Sequence, residues 1–220
     1  MDNLKGVAAI AKGNNHHALV KNPLRDDAFD HDDHIKIELI AKKFAEIMDI
    51  LGLNLSNDSV RETPVRVARM YVNEVFKGIN PKNKPGITVF KNEYHYHHPL
   101  VELNIPFTSF CEHHFLPIQG VANVAYLPKE YVIGLSKIHR LVDFYARRPQ
   151  VQERLTMQIA QELLITLQTE DVGVVLKATH GCISCRGVED LGSSTVTSVF
   201  RGLFEENHSL TSWLQGLSGA

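Results

Sequence analysis

A chain of 220 residues and 24.7 kDa is sized for one large domain, or a domain with an appended subdomain. Its 44% hydrophobic and 22% charged residues exclude wholesale disorder. A formal charge of −2 argues against a general nucleic-acid coat protein and leaves room for a local basic pocket. No apolar run approaches the roughly 18 residues that a membrane-spanning helix needs. The short apolar stretch near the first residue, broken by Lys12 and Gly13, does not read as a secretory signal. Three cysteines are too few for a disulfide framework, so the expected compartment is a reducing cytoplasm.

In chain order, residues 1–33 read as a polar arm ending in the run Asp30-His31-Asp32-Asp33-His34, which lacks an apolar frame and reads as a solvated face. From Ile35 a helix is predicted, with Ile40, Phe44, Ile47, Met48 and Leu51 at helical spacing and Gly52 as its stop. A second helix begins at Thr63-Pro64, carries Val65, Ala68, Val72 and Val75 on one stripe, and stops at Gly78. These make a helical region over 34–80. The turn-rich segment from Asn80 to Gly86 marks the main boundary, with a second domain over 81–220.

Beyond it the period changes. Ile87–Phe90, Val101–Ile105 and Ile118–Leu127 read as strands. Ser136–Arg147 reads as a helix interrupted by Pro149, and Gln152–Leu167 as an amphipathic helix with Leu155, Ile159, Leu163 and Leu167 on one stripe. Val172–His180 and Ser194–Phe200 form a β-branched strand pair. Strand pairs joined by hairpin-sized connections predict an α+β fold with an antiparallel sheet. The run Tyr94-His95-Tyr96-His97-His98 reads as a strand edge or loop.

Two segments carry metal chemistry. In Cys111-Glu112-His113-His114 the cysteine and the second histidine are three positions apart, a spacing that a tight turn brings together and a strand does not. In His180-Gly181-Cys182-Ile183-Ser184-Cys185-Arg186 a continuing strand would set His180, Cys182, Ser184 and Arg186 on one face and Cys185 on the other. Cys111, His114 and Cys182 then offer three ligands and an open fourth position, the pattern of a catalytic zinc. Two other readings stay open: a closed structural zinc that adds Cys185, and three buried cysteines with no metal. The spare histidines His113 and His180, each close to a proposed ligand, favour the catalytic reading, because proton carriers are wanted beside metal-bound water.

Two further features suit a nucleotide. Gly134-Leu135-Ser136-Lys137-Ile138-His139-Arg140 opens a helix with Ser136 in the cap position and Lys137 and Arg140 on one side of the first turn. Free backbone N–H groups and two cations there favour phosphate, although an ordinary charged surface helix is the plainer reading. Arg186 could add a bidentate phosphate contact. Glu153, at the start of the next helix, could accept the paired donors of a guanine edge; an ordinary surface carboxylate is again the plainer reading.

The segments CEHHFLPI at 111–118, GLSKIHRLVDFYARRPQVQERLT at 134–156 and ATHGCISCRG at 178–187 resemble the GTP cyclohydrolase I family, and TPVRVARMY at 63–71 extends the likeness. The resemblance implies zinc, one per subunit, on Cys111, His114 and Cys182, with His113 and His180 as proton-transferring catalytic residues. It implies guanine recognition by Gln152 and Glu153 with main-chain help near Leu135. Triphosphate contacts would come from Ser136, Lys137, Arg140, Arg186 and Arg66. The implied fold is a tunnelling fold over 81–220, a four-stranded antiparallel sheet with two helices on one face, whose units assemble as two stacked pentamers, a homodecamer with GTP bound between subunits. The implied reaction is hydrolysis at C8 of GTP with loss of formate, then rearrangement to 7,8-dihydroneopterin triphosphate, the first step of folate-type pterin synthesis. Cys185 and Gly181 depart from the family pattern without replacing a matched functional position.

Overall fold

The computed structural model describes residues 20–217. The described residues divide by contacts into two units, Pro23–Lys84 and a second formed by residues 20–22 together with 85–217. Residues 1–19 of the expected arm lie outside the described residues. Val20 and Asn22 are held to the second unit. The Val20 N–H donates to Gln161 Oε1 at 3.0 Å, and Gln158 Nε2 donates to Val20 O at 2.9 Å and Asn22 Oδ1 at 3.1 Å.

The first unit is helical. Helix α1, Asp33–Ile50, starts where the Asp32 carboxylate accepts the Ile35 N–H at 3.0 Å, so one member of the acidic run is a helix cap. Gly52, at φ +81°, supplies the left-handed residue that ends it. Helix α2, Thr63–Met70, begins with Pro64 in its first turn. It ends earlier than its stripe predicts: Tyr71–Val75 widens into a π-helical turn, followed by 3₁₀ turns at Lys77–Ile79 and Pro81–Asn83.

The second unit is built on a sheet. Strands β1 (Val89–Lys91) and β4 (Tyr131–Ile133) form a separate antiparallel pair. The main sheet contains β2 (Leu100–Cys111), β3 (Pro117–Tyr126), β5 (Pro149–Gln150), β6 (Val172–His180) and β7 (Thr195–Arg201) in the order β5-β2-β3-β6-β7. Four long antiparallel strands match the expectation, and the two-residue β5 adds a fifth, parallel to β2. So short a strand leaves no periodicity to read, and Pro149 falls within it, at the sheet edge where proline is tolerated. Helices α3 (Leu135–Ala146) and α4 (Gln152–Leu167) cover one face. Ile138, Leu141 and Val142 of α3, with Leu155, Ile159 and Leu163 of α4, pack against Ile105, Ala122, Val124, Val174 and Leu176.

After β6 comes a single helical turn, α5 (Gly181–Ser184), and after β7 come α6 (Leu203–Glu206) and α7 (His208–Leu217). Phe204 and Leu214 of this last pair bury Ala125 and Val175 on the opposite sheet face. A Cβ at Gly173 would stand 2.6 Å from Leu214 Cδ2, so the glycine is what lets α7 close down on β6. No described helix is long and apolar enough to cross a membrane.

Candidate functional site

Register brings the two chemical segments to one end of the sheet. The β2–β3 connection closes tightly, with Cys111 N–H donating to Leu116 O and Phe115 N–H to Cys111 O, each at 2.8 Å, and Phe115 at φ 55°. The turn predicted for CEHH is therefore present. It leaves Cys111 Sγ 3.7 Å from His113 Nδ1 and 3.8 Å from His114 Nδ1. On the other side of β3, Ile118 is paired with His180, the last residue of β6.

Beyond His180 the structure corrects the predicted continuing strand. The chain turns helical at Gly181, so Cys182 reaches Cys111 from a helical turn and not by strand alternation. Gly181 permits that turn at close quarters, since a Cβ there would meet Pro117 O at 3.1 Å. The ligand atoms of Cys111, His114 and Cys182 all lie within 4.8 Å of one another. Tetrahedral zinc with bonds of about 2.0–2.3 Å sets its ligand atoms roughly 3.5–3.8 Å apart, so the trio closes on such an ion with small adjustments. Cys185 is outside the trio: it is exposed, and its thiol donates to Gly181 O at 2.8 Å. The closed site that would recruit it is not formed.

Electrostatics agree with a cation at this point. Burial, then the adjacent Cys111 sulfur, push the Cys182 thiol up, while Arg186 acts weakly against them. A metal ion would supply the positive charge that two neighbouring thiolates require. Arg186 Nη1 donates to His114 Nε2 at 3.0 Å.

Helix α4 starts beside this cluster, and its first residues anchor different parts of it. Gln152 is 2% exposed, and its Oε1 lies 2.8 Å from His180 Nε2. Burial pushes His180 below the ordinary imidazole range, partly opposed by the Glu153 carboxylate. Glu153 itself is exposed. Arg154 makes a two-pronged bridge to Glu112, 2.6 Å to Oε2 and 3.1 Å to Oε1, and the Glu112 N–H donates to Gln150 O at 3.0 Å. The ligand-bearing turn is thus tied to α4 and β5. Sequence reasoning missed this bridge, because Glu112 and Arg154 are distant in the chain and neither is unusual alone.

Of the phosphate candidates, Arg186 is at the cluster, and those on α3 stand elsewhere. Helix α3 is capped by Gly134, not Ser136, which lies in the first turn; Lys137 N–H donates to Gly134 O at 2.8 Å. The α3 start lies beside the beginning of β2, where His139 Nε2 is 3.0 Å from Glu102 Oε1. The other end of α3 leads into β5, which pairs with Phe110 and Cys111. Twelve helical residues span about 18 Å. Leu135, Ser136, Lys137 and Arg140 are therefore roughly 20–30 Å from Cys111 of the same chain, given the nine strand steps from Glu102. Arg66 is exposed on α2, in the Pro23–Lys84 unit.

Comparisons with known proteins then fix the relationship. The family model described as GTP cyclohydrolase I matches residues 40–217. The protein named GTP cyclohydrolase 1 of Flavobacterium johnsoniae is 55% identical over 186 residues, 84% of this chain and 83% of that protein. Those of Mannheimia succiniciproducens and an Enterobacter species are 49% identical over 76% of this chain and 77% of theirs, and 47% identical over 94% and 93%. The chain belongs to the GTP cyclohydrolase I family. It is an enzyme of that family, and its Cys-His-Cys trio is a group able to hold a metal.

Two predictions follow from this geometry. Cys111→Ala and Cys182→Ala should lose any bound metal and activity together, whereas Cys185→Ala should keep both; metal analysis and activity assay of the purified variants check this. The Arg154 bridge holds the Glu112 carboxyl below the ordinary carboxylate range. Its stabilising effect is therefore present at neutral pH and lost as pH falls below the ordinary value of about 4.3 and through the lowered one. Thermal unfolding of wild type and Glu112→Gln should show a gap at pH 7 that closes below about pH 4.

Proposed function

We propose that this chain is a zinc-dependent GTP cyclohydrolase I that opens the guanine imidazole ring at C8, releases formate, and rearranges the product to 7,8-dihydroneopterin triphosphate. The observation that carries the reading is the convergence of Cys111, His114 and Cys182 from two separate segments, with His113 and His180 beside them. Two sulfurs and an imidazole suit zinc, and three protein ligands leave a position for the reacting water. When bound there, zinc supplies a water acidified toward neutral pH as the nucleophile.

This chain's own groups do the rest. His113 and His180 are the proton carriers for the ring nitrogens; protonation at N7 makes C8 more electrophilic, and ring opening needs a proton delivered to the departing nitrogen. Glu153, exposed at the α4 start, presents a carboxylate to the paired N–H donors of guanine, which adenine lacks. Main-chain groups near Leu135 add to guanine recognition, while Ser136, Lys137, Arg140, Arg186 and Arg66 supply cations and donors for the triphosphate.

The separation of the α3 start from the metal cluster supports a site shared between subunits. We take the assembly to be the family's two stacked pentamers of tunnelling-fold units, with the α3 end of one chain facing the metal cluster of another. Such an oligomer accounts for a phosphate-binding half that cannot reach Cys111 within its own chain.

The deciding assay incubates purified protein with GTP and follows formate, pterin absorbance and bound metal on one sample. Product with about one zinc per chain is the expected result, and ATP should give none. Zinc and GTP bound without formate would point to a regulatory GTP-binding protein instead. His113→Ala should keep zinc and lose roughly 10²–10⁴-fold in rate. A complementation experiment tests the shared site. Lys137→Ala/Arg140→Ala chains and Cys111→Ala chains, each inactive alone, should recover about a quarter of wild-type activity after being unfolded together and reassembled, because random mixing makes that fraction of sites whole. No recovery would place the complete site in one chain.

A further inference from the structure

The orientation of the Gln152 amide can be assigned from its partners. Thr156 Oγ1 donates to the main-chain carbonyl of Gln152 at 2.8 Å, which uses its one hydroxyl proton. In the 2.7 Å contact between Thr156 Oγ1 and Thr197 Oγ1, the donor must then be Thr197. Thr197 Oγ1 is left as an acceptor for Gln152 Nε2, 3.1 Å away. The same nitrogen lies 3.0 Å from Thr195 O and 3.3 Å from Leu176 O, both of which only accept. Turning the amide over would set its oxygen against two carbonyl oxygens in a pocket where the residue is 2% exposed, a cost that burial makes prohibitive. Oε1 must therefore face His180 Nε2 at 2.8 Å, and an amide oxygen accepts only. The proton on that bond belongs to histidine.

From this chain of donors we infer that Gln152 is a positioning residue that locks His180 as its Nε2–H tautomer, leaving Nδ1 as the nitrogen that exchanges a proton, and is not a contact for guanine. The inference rests on the proposed role of His180 as a proton carrier and deepens it. It moves Gln152 out of the guanine-recognising pair: both ends of its amide are engaged inside the protein, while the neighbouring Glu153 is exposed. Base recognition on this helix turn falls to Glu153. The orientation of His180 comes from a network spanning α4, β6 and β7, so it is set before substrate arrives.

The test uses zinc-loaded, full-length protein labelled with ¹⁵N-histidine, recorded by solid-state NMR at pH 8, with the His180 signals assigned by subtraction of a His180→Gln sample. Wild type should show His180 protonated at Nε2 and bare at Nδ1. Gln152→Met, which fills a similar volume without accepting a proton, should give mixed tautomers, unchanged zinc, a kcat lowered about 10–100-fold and a KM for GTP within about threefold of wild type. Thr197→Val, which removes one acceptor and keeps the packing, should show the same shift to a smaller degree, and it stands in if the methionine variant fails to fold. A wild-type His180 protonated at Nδ1 overturns the inference. So does a Gln152→Met or Thr197→Val enzyme with normal kcat, raised KM and weakened preference for GTP over ATP. The tautomer readout needs no turnover, so an Nε2–H histidine in a protein that releases no formate would sink the cyclohydrolase reading and leave the positioning role standing.

Discussion

Two cysteine sulfurs held against each other are the constraint around which this end of the molecule is arranged. Cys111 closes β2 and Cys182 follows β6, and the two strands are not neighbours: β3 lies between them. The Cβ-free Gly181 lets the chain turn over the end of β3 at Pro117 and carry Cys182 across to Cys111. Burial, then the neighbouring Cys111 sulfur, push the Cys182 thiol up, so ionising both sulfurs here is costly. A cation bound there would offset both costs, so the trio is a group able to hold a metal.

The first turn of α4 acts as the keystone of that site. Three consecutive residues take three jobs: Gln152 is buried against His180, Glu153 faces outward, and Arg154 grips Glu112. Successive helix positions point about 100° apart, so one turn can address His180, solvent and the turn that carries Cys111 and His114 together. The short parallel strand β5 fixes where this turn begins, because Gln150 is paired with Cys111 and its carbonyl accepts the Glu112 N–H. Displacement of α4 would therefore disturb His113, His114 and His180 at once.

Much of this was legible in the chain. The α4 helix and the β6 strand fall on the predicted residues because long stripes of Leu155, Ile159 and Leu163, and of Val172, Val174 and Leu176, each carry one clear period. What escaped was short or long-range. β5 has two residues, the π-helical turn at Tyr71–Val75 preserves the helical stripe while changing the backbone, and α6 and α7 follow the last segment with a strand period. At the site, residue types were informative and backbone geometry was not. The donor set Cys-His-Cys could be named from spacing, but period two assigned Cys182 to a strand face when a helical turn delivers it. Ser136 had the composition of a cap, yet Gly134 occupies that position, since the short β4 strand ends only one residue earlier. Gln152 differs again. Its type suits a nucleobase edge, and only the positions of Thr156, Thr195 and Thr197 show that its amide is already spent.

The distance between the α3 start and the metal cluster divides the proposed site into halves with different origins. On the proposed reading, the half that would hold metal and move protons lies within one chain: Cys111, His114, Cys182, His113, His180 and their supports all belong to the β2–β3 turn, the β6–α5 junction and the α4 start. The half that would hold phosphate is carried by α3 at the far end of β2. On the proposed reading, metal affinity is a property of the folded chain, whereas nucleotide affinity appears only when a neighbouring chain brings its α3 end to the cluster. Cations at that helix start gain from being kept away from the site until then. Arg140 is exposed and Lys137 half-buried, and on that reading their charges would be withdrawn from water only where a triphosphate is present to replace it.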